Sequence, residues 1–418
     1  MFYIYFICLL ILICWLNTRI SFFKKTGLGA NLLVSLFLIR IIVAVGAYYF
    51  ILHFYPDSDS FFYHQYGIKE YQLLFSDPKE YFRNLFIDGY NSGYSGLFAT
   101  KNSFWNNLGT NLLITLLSLF NIISLKSLLI NTLLFNSLIF IGSIALFRVC
   151  ISLFPKEKSA LIAVIFLLPS ALIFSSIIHK DGLILLLLSL LIYQLFFWIR
   201  DQKKKVRLLY AFIFLILIFF IRPFILIVLL PALVAYLISE HSRFRALPVF
   251  VITYAISTIL FFLSPNISPK LNLPELVSKR QAAFEEISIL GSSTIDTHIL
   301  EPSFISFVKN LPQALNHVLL RPYLFEGDNI LFIPFAIEIL LYICLFLLFL
   351  FFRKKNVEVP SLLYFFIFFS ATMFVVIGYT IPIIGAFVRY RSIYFIFLLI
   401  PLLVSIDWGR FKRKIKLK

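Results

Sequence analysis

Apolar runs of about 17–25 residues, each long enough to cross ~30 Å of hydrocarbon, recur along the whole chain. That repetition leaves few folds open. A bilayer admits only structures that satisfy their own backbone hydrogen bonds, and helical runs of this length do so segment by segment. Composition agrees: of 418 residues, 61% are hydrophobic, 14% are charged and 51 are Phe, against roughly half apolar and a quarter charged in soluble domains. No stretch outside the runs is long and amphipathic enough to build a soluble core. The sequence therefore predicts an all-α polytopic transmembrane helix bundle, with residues 1–418 forming a single integral membrane domain.

The formal charge of +17 invites a nucleic-acid reading, but Lys and Arg fall in short clusters between the runs. That is the positive-inside pattern, and the partners it implies are membrane lipids, not nucleic acid. The tail from Arg410 to Lys418 belongs to the same class. Arg19, Lys24 and Lys25 mark a cytoplasmic segment after a first run at 1–16. The second run, 30–52, then emerges outside. Continuing the alternation gives further spans at 128–153, 161–178, 183–199, 208–221, 224–238, 247–263, 330–352, 362–377 and 392–404. The total is about eleven, with the amino end outside and the carboxyl end cytoplasmic. Two long outer loops follow, about 53–109 and 264–329. Residues 111–125 are apolar but short, and counting them as a span breaks the charge parity, so they read as an interfacial helix.

Three further signals limit the reading. Cys8, Cys14, Cys150 and Cys344 lie inside apolar runs with no CxxC spacing, which leaves the loops without a disulfide framework or zinc site. The first run lacks a basic n-region and reads as a spanning helix, not a cleaved signal peptide. No internal repeat of the inverted-transporter kind is evident.

The compact acidic cluster Asp57-Ser-Asp59 follows the second run and precedes Phe61, Phe62, Tyr63 and His64. Asp57 or Asp59 could take a proton from an attacking hydroxyl as general base. The Asp-x-Asp spacing also suits oxygen ligation of Mg2+ or Mn2+ bridging a phosphate, so a metal role for Asp57 and Asp59 stays open, with no cofactor required. His64 joins the same loop as a substrate-binding candidate. Arg222, Arg321, Arg389 and Arg391 sit at outer ends of spans or in outer loops, where guanidinium groups bind phosphate bidentately. Arg389 and Arg391 are two apart and would point to nearly opposite faces of a helix. Lys180 and Asp181, in a tight turn after His179, either pair locally or line the same cavity. His179 is a proton-transfer candidate or a simple hydrogen-bonding residue. Deeper in the membrane, Arg40 and Glu338 are costly unless satisfied, and read as a structural intramembrane pair.

The segment Tyr55-Pro-Asp57-Ser-Asp59-Ser-Phe-Phe-Tyr63-His64 resembles the first outward loop of GT-C-type membrane glycosyltransferases. Leu168-Pro169-Ser170-Ala-Leu-Ile-Phe174-Ser175-Ser176, running into His179-Lys180-Asp181, resembles a segment of Wzy-like polymerases of bacterial surface-polysaccharide assembly. The resemblance implies a GT-C-like bundle with an outward cavity in the bacterial inner membrane. It implies transfer of a glycosyl unit from a polyprenyl-phosphate or polyprenyl-pyrophosphate carrier to a glycan or lipid-linked acceptor, as in O-antigen, capsule or exopolysaccharide assembly. The carboxylate role then falls on Asp57 or Asp59 and the phosphate role on the arginines. Other polysaccharide-assembly proteins are implied partners. The alternative is a lipid-linked oligosaccharide flippase or transporter working through Arg40 and Glu338.

Overall fold

The computed structural model describes residues 2–55, 58–86, 104–201, 204–268, 271–288, 293–326, 330–355 and 358–416. Among these the chain is helical throughout, with two isolated β-bridges and no strand. Among the described residues nine helices are long and apolar enough to cross a membrane, or ten if one bent pair counts as a span. The expected count of about eleven differs for physical reasons. The first helix and the one at residues 205–221 are short, and 17 residues at 1.5 Å each reach only about 26 Å. The run at 161–178 is broken.

The chain groups into two compact units, Met1–Pro223 and Phe224–Lys418. The first unit contains α1 (Phe2–Arg19), α2 (Ser21–Lys24), α3 (Ala30–Phe54), α4 (Asp59–Ser76), α5 (Pro78–Asn84), α6 (Phe104–Ser124), α7 (Leu128–Leu153), α8 (Lys158–Phe166), α9 (Pro169–Ser176), α10 (Lys180–Arg200) and α11 (Lys205–Ile221). α10 is its centre, packed between α7 and α11, while α3 packs on α7 and α9.

α8 and α9 bend by 48° at their junction. Pro169 has no N–H to continue the ladder and forces Leu168 into an extended conformation, φ −64 and ψ 116. α9 then stops after eight residues. The chain runs extended through Ile177 and His179 before α10 begins.

α6 is apolar enough to be among the nine, yet both of its ends meet the same end of the bundle. Gly109 lies against the backbone of Ile221, the last residue of α11. At the other end Ile123 accepts a hydrogen bond from Tyr5 at 2.8 Å, and five residues later α7 starts. α7 and α10 run in the same direction, with Phe135 against Gly182 and Gly142 against Leu186. α11 ends where α10 begins. α6 therefore crosses the end of this unit, with α4 packed on it. The run at 111–125 belongs to this longer helix. The turn into α7 places Leu125 and Lys126 at φ 53 and 66, a left-handed pair that is costly without glycine.

The second unit contains α12 (Pro223–His241), α13 (Ala246–Ile267), α14 (Leu273–Ser288), α15 (Phe304–Leu320), α16 (Ile333–Phe352), α17 (Ser361–Thr380), α18 (Ile384–Val404) and α19 (Trp408–Lys416). α17 is central, touching α13, α14, α15 and α18. The loop expected at 264–329 is largely folded. α14 and α15 dock on α17, Gln281 holds the backbone of His298 and Leu300, and Tyr379 donates to the Phe307 carbonyl at 2.6 Å. α18 starts eight residues before the expected boundary, so Arg389 and Arg391 lie inside it.

Candidate functional site

The break between α9 and α10 brings four ionisable side chains into a row. Asp59, the first residue of α4, places Oδ2 3.2 Å from His179 Nε2. The other ring nitrogen, Nδ1, stands 2.8 Å from Asp181 Oδ2. Asp181 Oδ1 in turn stands 2.8 Å from an Arg222 guanidinium nitrogen. The two 2.8 Å contacts are ion-pair approaches, not aligned hydrogen bonds. Exposure falls along the row: the Asp59 side chain is 59% exposed, His179 7% and Asp181 0%. One carboxylate faces solvent, a ring stands behind it, and a buried carboxylate and guanidinium close the row.

Each position has a local cause. Extended backbone at His179, φ −155 and ψ 160, keeps it outside the helical turn as the residue before α10. Asp181 sits in the first turn of α10, where the unpaired N–H groups and the helix dipole favour negative charge. Gly182 follows because a Cβ there would lie 2.9 Å from the Phe135 ring and from the Ser175 carbonyl. Arg222 ends α11 in extended conformation, as the residue before Pro223 must. Ser60 donates to the Ile178 carbonyl at 3.1 Å and ties α4 to the unwound strand. Tyr63 lies with its ring 6.0 Å from that of His179.

A carboxylate oriented on an imidazole whose other nitrogen faces an exposed carboxylate is a proton-handling arrangement. Lys180, buried at the first position of α10, adds a second cation to Arg222 at this end of the unit.

The other expected residues are placed differently. Asp57 lies outside the described residues. His64 is buried and meets Asn131 at 3.3 Å, within a polar row that includes Asn121. Burial lowers its pKa to about 4. Arg321 pairs with Glu326 at 3.2 Å and lies over the Tyr323 ring. Arg389 donates to the Tyr390 hydroxyl at 3.2 Å. Arg391 is buried, donates to the Val318 carbonyl at 2.5 Å and stacks on Phe387 and Phe395. Arg40 and Glu338, expected as a pair, each have partners inside their own unit. Arg40 donates to the Ser175 carbonyl and hydroxyl, both at 2.9 Å. Glu338 accepts from Tyr342 and lies within electrostatic reach of Arg391.

Among the described residues no group of three or more His, Cys, Asp or Glu is arranged to hold a metal ion. Asp59 Oδ2 faces an imidazole nitrogen, where Mg2+ asks for oxygen. The sequence leaves His179 open between proton transfer and a simple hydrogen bond, and Asp181 open between a local pair with Lys180 and a place in the cavity; the row joins the two. The signal was there in a Pro and a Ser-Ser pair interrupting an apolar run just before His-Lys-Asp. Comparison with family models, curated proteins and solved structures finds no match to this chain.

Proposed function

We propose that the chain is a membrane glycosyltransferase or polymerase of bacterial surface-polysaccharide assembly, acting on the non-cytoplasmic face of the inner membrane. The observation that carries this reading is the graded row from exposed Asp59 through His179 to buried Asp181 and Arg222. In the proposed reaction Asp59 accepts the proton of an acceptor hydroxyl. The acceptor oxygen bonds to the anomeric carbon as the bond from that carbon to the carrier's phosphate oxygen breaks. The leaving polyprenyl phosphate or pyrophosphate takes the electron pair, and Lys180 and Arg222 supply positive charge at that end of the unit. His179, with Asp181 close to its other nitrogen, faces Asp59 from the ring side. The basic clusters support an orientation with the amino end outside and the carboxyl end cytoplasmic, which puts the row on the outer face. The GT-C-like resemblance belongs to the same proposal.

The test is surface-glycan chain length in a deletion strain complemented with wild type, Asp59→Asn or His179→Gln, at matched membrane levels. Wild type restores long polymer, and the two variants leave single units on the carrier. Full ladders from both variants overturn the reading.

One observation favours a second reading, a lipid-linked oligosaccharide flippase. Discontinuous helices with satisfied ends inside a bundle are a device of transporters, and α8, α9 and α10 form one around Arg40. A flippase keeps its function in Asp59→Asn and loses translocation in Arg40→Ala.

A further inference from the structure

The least expected residue in the first unit is Arg40, buried near the middle of α3, an apolar helix of 25 residues. A guanidinium there is costly and is retained only where it does something specific. Its contacts say what. One terminal nitrogen donates to both the carbonyl and the hydroxyl of Ser175, each at 2.9 Å. Ser175 is next to last in α9, so that carbonyl is one of the four that a helix leaves without an intrahelical partner. The next carbonyl, of Ser176, is taken by Asn136 of α7 at 2.8 Å. Ile178, two residues on, has its carbonyl taken by Ser60 of α4 at 3.1 Å.

Three side chains from three helices thus satisfy three carbonyls around the break, at residues buried from solvent. Arg40 also brings positive charge to the negative end of α9. The next residue after this clamped strand is His179. Groups facing its ring are Asp59 from α4 and Asp181 from α10, with Tyr63 alongside and Arg222 behind Asp181.

We propose that Arg40 is a positioning residue. By holding the end of α9 it keeps residues 177–179 unwound and sets His179 between Asp59 and Asp181. The proposal concerns the site described above and rests on its geometry. It stands whether that site transfers a glycosyl unit or moves one.

The test compares the full-length wild type with Arg40→Met, Arg40→Lys and Ser175→Ala in lipid nanodiscs at a fixed neutral pH. Two quantities are read: backbone amide exchange over residues 176–180, and the ring NMR signal of His179, assigned through His179→Gln. Arg40→Met is expected to speed exchange in that segment about tenfold and to move the His179 ring signal. The signal of His298, in the other unit, stays in place. Arg40→Lys, whose ammonium can still donate to the Ser175 oxygens, returns both readings toward wild type. Ser175→Ala gives a smaller change of the same kind. A folded Arg40→Met with wild-type exchange and an unmoved His179 signal overturns the proposal, as does an Arg40→Lys variant that behaves like Arg40→Met. Should Arg40→Met fail to fold, Ser175→Ala decides: a shifted His179 signal supports the positioning role and an unchanged one overturns it. Neither readout needs activity, so failure here is distinct from failure of the transferase reading.

Discussion

Asp181, with no exposed side-chain surface, stands 2.8 Å from the guanidinium of Arg222. The two residues are 41 positions apart and meet because α11 ends where α10 begins. Removing one member of a buried ion pair leaves the other without its counter-charge, which costs about 3–5 kcal/mol. Arg222→Ala is therefore expected to lower thermal stability sharply. Replacing both, Arg222→Met with Asp181→Leu, is expected to cost less than the sum of the two single changes. A double-mutant cycle by thermal unfolding in detergent measures this. Additive effects would show that the pair is not coupled.

Asp59 stands at the other end of the same row and behaves in the opposite way. Its side chain is mostly exposed, so its contact with the buried His179 ring is screened by solvent on one side and contributes on the order of 1 kcal/mol. Asp59→Asn is expected to leave unfolding temperature nearly unchanged and, under the proposed transferase reading, to cut turnover by about 10²–10⁴, the usual contribution of a general base. Loss of both stability and activity would make Asp59 structural.

The contrast between these two residues shows what could be read from the chain. Asp59 and Arg222 were legible because each is an exception to a local rule, an acid just past an apolar run or a cation against the positive-inside bias. Helical class and most helix positions were legible for the same reason, since apolar length alone fixes them. His179 and Asp181 were legible only as one alternative among two, because their pairing comes from a helix break whose cause is tertiary. Pro169 ends α8, but α9 is stopped by Arg40 and Asn136 capturing its carbonyls. The placement of α6 across the bundle end was legible only through charge parity. Arg391 was legible as an anomaly but not in its role, since its partner, the Val318 carbonyl, belongs to a helix inside what reads as a loop.

Two buried histidines give the chain an acid limit. Burial lowers the pKa of His64 to about 4, and burial with the charges of Arg321 and His298 does the same for His317. The ordinary value is about 6.5, so the unfolded chain binds these protons more tightly than the folded one. Their contribution is fully present above about pH 6.5 and is lost as pH falls from there through 4. For His64 the limit is on the order of 3 kcal/mol. Thermal unfolding at pH 7.5 and pH 5 should show a drop for wild type that shrinks in His64→Gln and again in His64→Gln/His317→Gln. An equal drop in all three would assign acid sensitivity to other groups.

Gly109 connects the helix laid across the bundle end to the site itself. A Cβ at this position would lie 2.5 Å from the Ile221 carbonyl oxygen and 3.1 Å from its Cα. Both are backbone atoms of the residue just before Arg222, so no side-chain rotation relieves the clash. Either α6 lifts or the end of α11 shifts, at a cost of about 1–3 kcal/mol by analogy with overpacked cores. Because Arg222 carries the charge that meets Asp181, the shift also disturbs the row. Gly109→Ala should therefore lower unfolding temperature and turnover together. Gly46 in α3 serves as control. Nothing lies within 4 Å of a Cβ built there, and alanine in a helix interior is favoured over glycine by roughly 0.5–1 kcal/mol. Gly46→Ala should be neutral or stabilising with activity intact. If Gly109→Ala matches that control in both measurements, α6 does not bear on Arg222 and the row is held by α4, α10 and α11 alone.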